Sequence, residues 1–307
     1  MTVFDCTNFL NENEVYEIRI NEHWDFVDKF VVIETGETHT GLKKELNFDH
    51  KRFEKYKEKL IYVSFDSFDE EMKKHPELDC KLGQQQHTGR SSLDFRRANF
   101  QYNYMVKVLA DYGAKETDVV IFSCLDEIVK KEAVVEAEQI FKNSTSLYNG
   151  YHFINNTVSF TNLRPCLLFN LSFYVFKFNI LRYRSEDNYV AGGITEFGNF
   201  KKVLPGTLRS MAITTHPIIK NAGWHFSYMD DTDGARVYNK YRSWAHARES
   251  IIGPDHNTLT KEESLKNLFW QYKISIPQSI VPIVKETHPK YLVDNQEKFK
   301  QFILTVE

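Results

Sequence analysis

The sequence predicts an α/β fold, a mostly parallel sheet flanked by helices that passes into a mixed C-terminal region. Three observations carry this. The β-branched apolar runs KFVVIET (29–35) and DVVIFS (118–123) read as buried strands, with LIYVSF (60–65) a short strand between them. Charged stretches with apolar residues at helical spacing lie between them, and alternation of helix and strand is the pattern of a parallel sheet. From Tyr148 to Tyr183 the character changes, with ten aromatics in 36 residues and partial alternation, which suggests antiparallel or mixed strands.

The elements follow in order. Residues 11–24 carry Val15 and Ile18 at helical spacing with charges between them and read as an amphipathic helix. The strand 29–35 ends on a carboxylate, Glu34, and a polar loop, THTGLKK, follows. A charged segment around Phe53, Tyr56 and Leu60 reads as a second helix feeding the strand 60–65. Residues 93–112, with Phe100, Tyr104 and Leu109, form a third helix, and the strand 118–123 runs straight into CLDEI. In the second half, AGGITEFGNF (191–200) reads as a loop because of its glycines. AGWHFSY (222–228) precedes a helix-like stretch through Trp244 and His246, and 291–304 reads as a last amphipathic helix.

Composition bounds the function. At 307 residues there is room for two domains of about 150 residues or one large α/β domain with an extension. Glycine and proline, 13 and 8 residues, stand below the usual share and exclude collagen and low-complexity chains. A net charge of −3 gives no electrostatic reason to expect nucleic acid or an acidic membrane. Cys6, Cys80, Cys124 and Cys166 form no CxxC pair and read as reduced intracellular thiols. With no signal peptide and no apolar run of membrane-spanning length, a cytoplasmic location is expected, and the sequons at Asn143, Asn155 and Asn170 carry little meaning. The 44 aromatic residues (24 Phe, 16 Tyr, 4 Trp) are the compositional oddity.

Four groups could carry chemistry. Asp126-Glu127 ends an apolar strand, where open parallel sheets bind ligands, and two acids there can hold a divalent cation against a diphosphate; equally, they can favour a helix N-terminus. Glu34 ends another strand and could take a ribose hydroxyl, or be an ordinary strand end. In Gly223-Trp224-His225-Phe226-Ser227-Tyr228 the histidine could be a packed core group or, with Trp224, part of a sugar-stacking wall. Arg96-Arg97 could clamp a phosphate bidentately, or lie on a helix surface.

Taken in order, these pieces resemble glycosyltransferase family 17, which includes the bisecting N-acetylglucosaminyltransferase of N-glycan processing and bacterial and viral members. YEIRINEHWDFVDKFVVIETGETHTGLKKELNF is similar to the family's opening block, with Arg19, Asn21, Glu22 and the strand ending in Glu34. Asp126-Glu127-Ile128 stands where the family has an acidic Asp-x-Asp-Glu-Ile-Pro motif. GWHFSY resembles its most distinctive block, RSWAH (242–246) follows at the expected distance, and PKYLVDNQEKF is similar to its closing helix.

The resemblance implies a GT-A-like fold, a Rossmann-type mostly parallel sheet in one domain over 1–307. Residues 1–130 would be the nucleotide-sugar half, 131–290 the acceptor side and 291–307 a C-terminal helix. It implies transfer of a sugar from a nucleotide donor, a UDP-sugar, to a glycan hydroxyl with inversion. Glu34, Thr40, Arg97, Asp126 and His225 would bind the donor, Trp224 and Tyr228 the acceptor, and Asp126 and His225 a divalent Mn²⁺ or Mg²⁺. The partners would be a nucleotide-sugar and a glycan, with no nucleic acid. Inversion needs a general base, for which Glu127, Glu196 and Asp230 or Asp231 are candidates.

Three positions depart from the pattern. Cys124 stands where the motif's first acid is expected, which removes a hard ligand. Val129 replaces a proline, and Tyr102 stands where relatives carry an arginine. These departures keep open a binding descendant without turnover; a nucleotidyltransferase on a similar sheet is a third reading.

Overall fold

The computed structural model describes residues 1–79, 92–144, 148–154, 157–163, 165–183, 189–211, 216–231, 233–245, 247, 259–272 and 279–305. Cys80, the Asn155 sequon, His246 and the aromatic side chains of 148–160 lie outside the description.

The first half folds as strand β1 (Val3–Phe9), helix α1 (Asn13–His23), β2 (Lys29–Thr35), β3 (Leu60–Phe65), α2 (Phe68–Lys74), α3 (Ser92–Tyr112), β4 (Val119–Phe122), β5 (Glu127–Val129) and α4 (Lys131–Asn143). The second half adds β6 (Tyr148–Ile154), β7 (Thr157–Leu163), β8 (Cys166–Val175), β9 (Leu181–Tyr183), β10 (Val190–Glu196), α5 (Phe197–Val203), α6 (Pro205–Met211), β11 (Ile218–Ser227), α7 (Ala235–Ser243), α8 (Lys261–Tyr272) and α9 (Lys290–Asp294). A 3-10 turn at Gln296–Phe302 ends the described core.

The main sheet runs β3-β2-β1-β4-β10-β8-β11-β5, with β9 beside β8, and β6 and β7 form a separate hairpin. Among themselves β3, β2, β1 and β4 pair in parallel. Beyond β4 the sheet is mixed: β10 is antiparallel to β4 and β8, β11 is parallel to β8, and β5 closes the edge antiparallel to β11. The chain steps from β1 to β2 in one direction and reaches β4 on the other side of β1, so the topology switches at β1/β4. Ligand crevices form outside the carboxyl ends of strands at such a point.

Three apolar clusters bury the sheet. α1, α4 and the segment around Leu292, Phe299 and Phe302 cover one face. α2, α3, α5 and α6 cover the other through residues such as Phe68, Phe100, Phe200 and Leu208. α7 and α8 pack Val237, Tyr241 and Leu268 on Phe173 and Val175 of β8. Among the described residues no helix is long and apolar enough to cross a membrane.

Several local expectations are corrected. β1 is a central strand that no apolar run announces, because Asp5, Thr7 and Asn8 interrupt it. The helix expected around Phe53 is a single 3-10 turn, Glu54–Tyr56. Aromatic packing replaces backbone regularity there: Phe48 and Phe53 stack 5.0 Å apart, and Tyr16 of α1 meets both rings. The glycine-flanked loop at 191–200 is strand β10 running into α5. Gly192 sits at a bulge with φ +64°, so the glycine marks a kink inside a strand. The expected last helix is split between α9 and the 3-10 turn.

Candidate active site

The site begins with a buried arginine. Asp5 lies in the middle of β1, and α1 crosses the sheet so that Arg19 and His23 reach it. Arg19 Nε donates to Asp5 Oδ2 at 2.9 Å, and His23 Nδ1 lies 2.8 Å from the same oxygen. Arg19 then donates to the carbonyls of Cys124 (2.6 Å), Leu125 (3.1 Å) and Glu127 (3.0 Å), and to Ser123 Oγ (2.7 Å). One guanidinium thus moulds the backbone that leaves β4. Burial works against the Asp5 charge, but Arg19 and His23 outweigh it and hold its carboxyl well below the usual range.

That backbone presents Cys124, Asp126 and Glu127. Asp126 Oδ2 accepts from Lys240 Nζ of α7 at 2.6 Å, and Oδ1 lies 3.4 Å from His225 Nε2. Lys240 also meets Glu12 at 2.9 Å. Glu127 accepts from the Cys124 amide at 2.7 Å and from Arg209 of α6 at 3.2 and 3.3 Å. Arg209 lies over the Tyr102 ring at 4.6 Å and points a second nitrogen at Cys124 Sγ, 3.2 Å away, while Tyr102 Oη lies 2.9 Å from that sulfur. The guanidinium over Tyr102 is supplied from another helix, α6. Burial raises the Cys124 thiol to about 12. Burial also opposes ionisation of Asp126 and Glu127, but the neighbouring cations prevail and keep both carboxyls lowered.

His225 stacks on Phe173 at 4.6 Å, and its buried Nδ1 finds no hydrogen-bond partner among the described residues. At the end of β1 both amide atoms of Asn8 are likewise buried and unpartnered. These buried atoms are free to bond a ligand at the site.

The structure brings together Asp126, Glu127 and His225. Thr40 and Arg97 form a second group around the 38–41 loop. Thr40 Oγ1 donates to the Arg242 carbonyl at 2.9 Å, and the His39 amide to that of Ser243 at 3.0 Å. These bonds tie the loop to α7, the helix that carries Lys240. Arg97 covers Gly41, donates to the His39 carbonyl at 3.4 Å and has a buried, unpartnered Nε.

Other candidates lie elsewhere. Glu34 reaches no surface; its oxygens take Lys44 (2.8 Å), the amides of Asn47 (2.6 Å) and Phe48 (3.1 Å) and Tyr62 Oη (2.9 Å), which makes it a staple for the 44–48 segment. Glu196 pairs opposite Val119, at the far end of β4 from Cys124, so β10 carries it away from the acids. Trp224 alternates with His225 along β11 and faces the opposite layer, where its Nε1 donates to the Thr287 carbonyl at 2.8 Å. Tyr228 is buried 5.7 Å from Lys240 Nζ. Asp230 follows β11, and its Oδ2 accepts the Gly234 amide at 2.7 Å while Oδ1 is buried without a partner. Arg209, Lys240 and Asn8 carry no sequence signal as site residues, because lone basic residues on helices and a lone amide in a strand look like any others.

A divalent cation must be tested against this donor set. Cys124, Asp126 and Glu127 each offer an atom within 4.8 Å of the others, so the positions converge. For these three positions, Asp126 of the expected Asp126–His225 pair included, the chemistry does not fit. Mg²⁺ and Mn²⁺ prefer oxygen ligands, one donor here is sulfur, and each carboxylate already holds a side-chain cation.

The model of glycosyltransferase family 17 matches residues 1–145. Among curated proteins none matches the chain.

Proposed function

We propose, for a chain whose residues 1–145 belong to glycosyltransferase family 17, that it is an inverting transferase using a nucleotide-sugar, a UDP-sugar, on a GT-A-like fold with a glycan hydroxyl as acceptor. One observation carries this reading: the β1/β4 switch point is flanked by the unpaired Asn8 amide on one side and the Asp126–Glu127 acids with Lys240 and Arg209 on the other. An amide with free donor and acceptor suits a nucleobase edge, and the guanidinium and ammonium suit a diphosphate. Arg97, with an unpartnered Nε beside the 38–41 loop, extends the basic wall.

The acceptor hydroxyl attacks the anomeric carbon, the bond to the diphosphate oxygen breaks with its electron pair leaving on that oxygen, and a base takes the hydroxyl proton. Asp230 is our choice of base. Glu127 is ion-paired to Arg209 and Glu196 lies at the other end of the sheet, whereas Asp230 keeps one oxygen unpaired on the segment leading into α7.

Nucleoside diphosphate release from a panel of nucleotide-sugars, with glycan acceptors supplied, tests the reading. At least one donor should be consumed. Asp126→Asn should then lower the rate by a hundredfold or more, and Asp230→Asn should lose about 10²–10⁴ in kcat with donor binding unchanged. Turnover with no donor, or pyrophosphate as product, would overturn it.

A further inference from the structure

We infer that this site neutralises the donor diphosphate with two fixed side-chain cations, Arg209 and Lys240, in place of a divalent metal ion; the inference rests on the glycosyl-transfer reading above. The argument turns on which charges face outward. The Glu127 side chain is 3% exposed and its partner Arg209 23%; Asp126 is 5% exposed and Lys240 20%. At both pairs the carboxylate is behind and the cation in front. A dication approaching either pair meets the cation before the carboxylate behind it, whereas a diphosphate meets the groups it binds best.

The acids have a different task in this arrangement. They hold the cations in place and satisfy part of their hydrogen-bonding capacity, leaving the remainder for a ligand. Glu127 grips Arg209 through two nitrogens, the Tyr102 ring supports the guanidinium from below, and Cys124 Sγ fills the third contact. A carboxylate at position 124 would attract a metal; a sulfur shared by Tyr102 and Arg209 does not. Lys240 is held between Asp126 and Glu12. When the anomeric C–O bond breaks, negative charge grows on the leaving diphosphate oxygen, and preorganised cations stabilise it without reorganising.

The test is calorimetric binding of UDP, GDP and inorganic pyrophosphate to the full chain, with EDTA and with Mn²⁺. One nucleoside diphosphate should bind equally, within about twofold, in both buffers, and pyrophosphate should compete with it in EDTA. Arg209→Gln should weaken that binding in EDTA by about tenfold or more, and Arg209→Lys, which keeps the charge but loses the fork, by less. Mn²⁺ added alone should give no protein-bound electron paramagnetic resonance signal. Binding only with Mn²⁺ would overturn this inference and leave glycosyl transfer standing. Binding of neither nucleotide in either buffer would overturn both. Tight metal-free binding that neither Arg209 variant changes, with the thermal transition of each intact, would also overturn it.

Discussion

A buried charge is tolerated when its polar atoms are answered, and Arg19 meets that condition. With Asp5, Ser123 and three carbonyls around it, it converts the desolvation cost of a guanidinium into a fixed shape for 123–127. His288 is the opposite case, a histidine buried as a neutral ring. Its Nε2 donates to the Phe178 carbonyl at 2.9 Å, its Nδ1 lies 2.8 Å from Thr287 Oγ1, and Tyr174 packs at 4.7 Å. Burial pushes it down from 6.5 to about 4. Between those values the unfolded chain binds a proton that the folded one refuses. Its contribution is therefore complete above pH 6.5 and lost as the pH falls toward 4, by ~3 kcal/mol in all. Urea unfolding across that window should show His288→Gln with a shallower loss of stability than the parent; parallel slopes would refute the assignment. At this scale the sequence showed Asp126 and Glu127, because acids at the end of an apolar strand form a motif. It could not show that Arg209 and Lys240 cap them, because each lies more than 80 residues away on its own helix.

At the scale of elements, glycines decide how closely strands approach. A Cβ on Gly223 would lie 2.0 Å from the Ile128 carbonyl oxygen, and one on Gly192 2.7 Å from the Ser123 Cβ. The first glycine lets β11 pair with β5, and the second lets the β10 bulge pass the strand end carrying the acids. Gly223→Ala must push β5 outward and move Asp126 and Glu127 with it. We expect a loss of about 1–3 kcal/mol in denaturant unfolding together with weaker nucleotide binding. Unchanged stability and binding would show that β5 yields freely. The buried strands β2 and β4, and the half-exposed edge strand β3, were legible because β-branched apolar runs admit few other readings. β1 and β10 were not: polar residues interrupt the first, and glycines in the second gave the sequence signal of a loop while serving as a bulge. Among the described residues aromatic packing occurs in both halves of the chain, where α1 meets the 48–62 segment and around β8 and β11.

At the scale of the molecule, the sheet interleaves the two halves of the chain. β4 lies against β10, and β5 has only β11 as a ladder partner among the described residues. The matched segment 1–145 therefore leaves one edge of β4 open and β5 unpaired. Expressed alone, residues 1–145 should unfold without a cooperative transition and show little amide protection in β4 and β5; a sharp urea transition would mean that the N-terminal half is self-sufficient. The sequence by itself determined the α/β class, the parallel N-terminal strands, the likeness to a glycosyltransferase family and the acids that follow β4, since all of these are written in local runs and ordered blocks. Only the tertiary structure decided which charges stand in front of those acids, that Glu34 and Trp224 serve the core, and that Glu196 lies at the wrong end of its strand. Those outcomes depend on strand direction, on the alternation of faces and on contacts between residues far apart in the chain, and no local pattern encodes them.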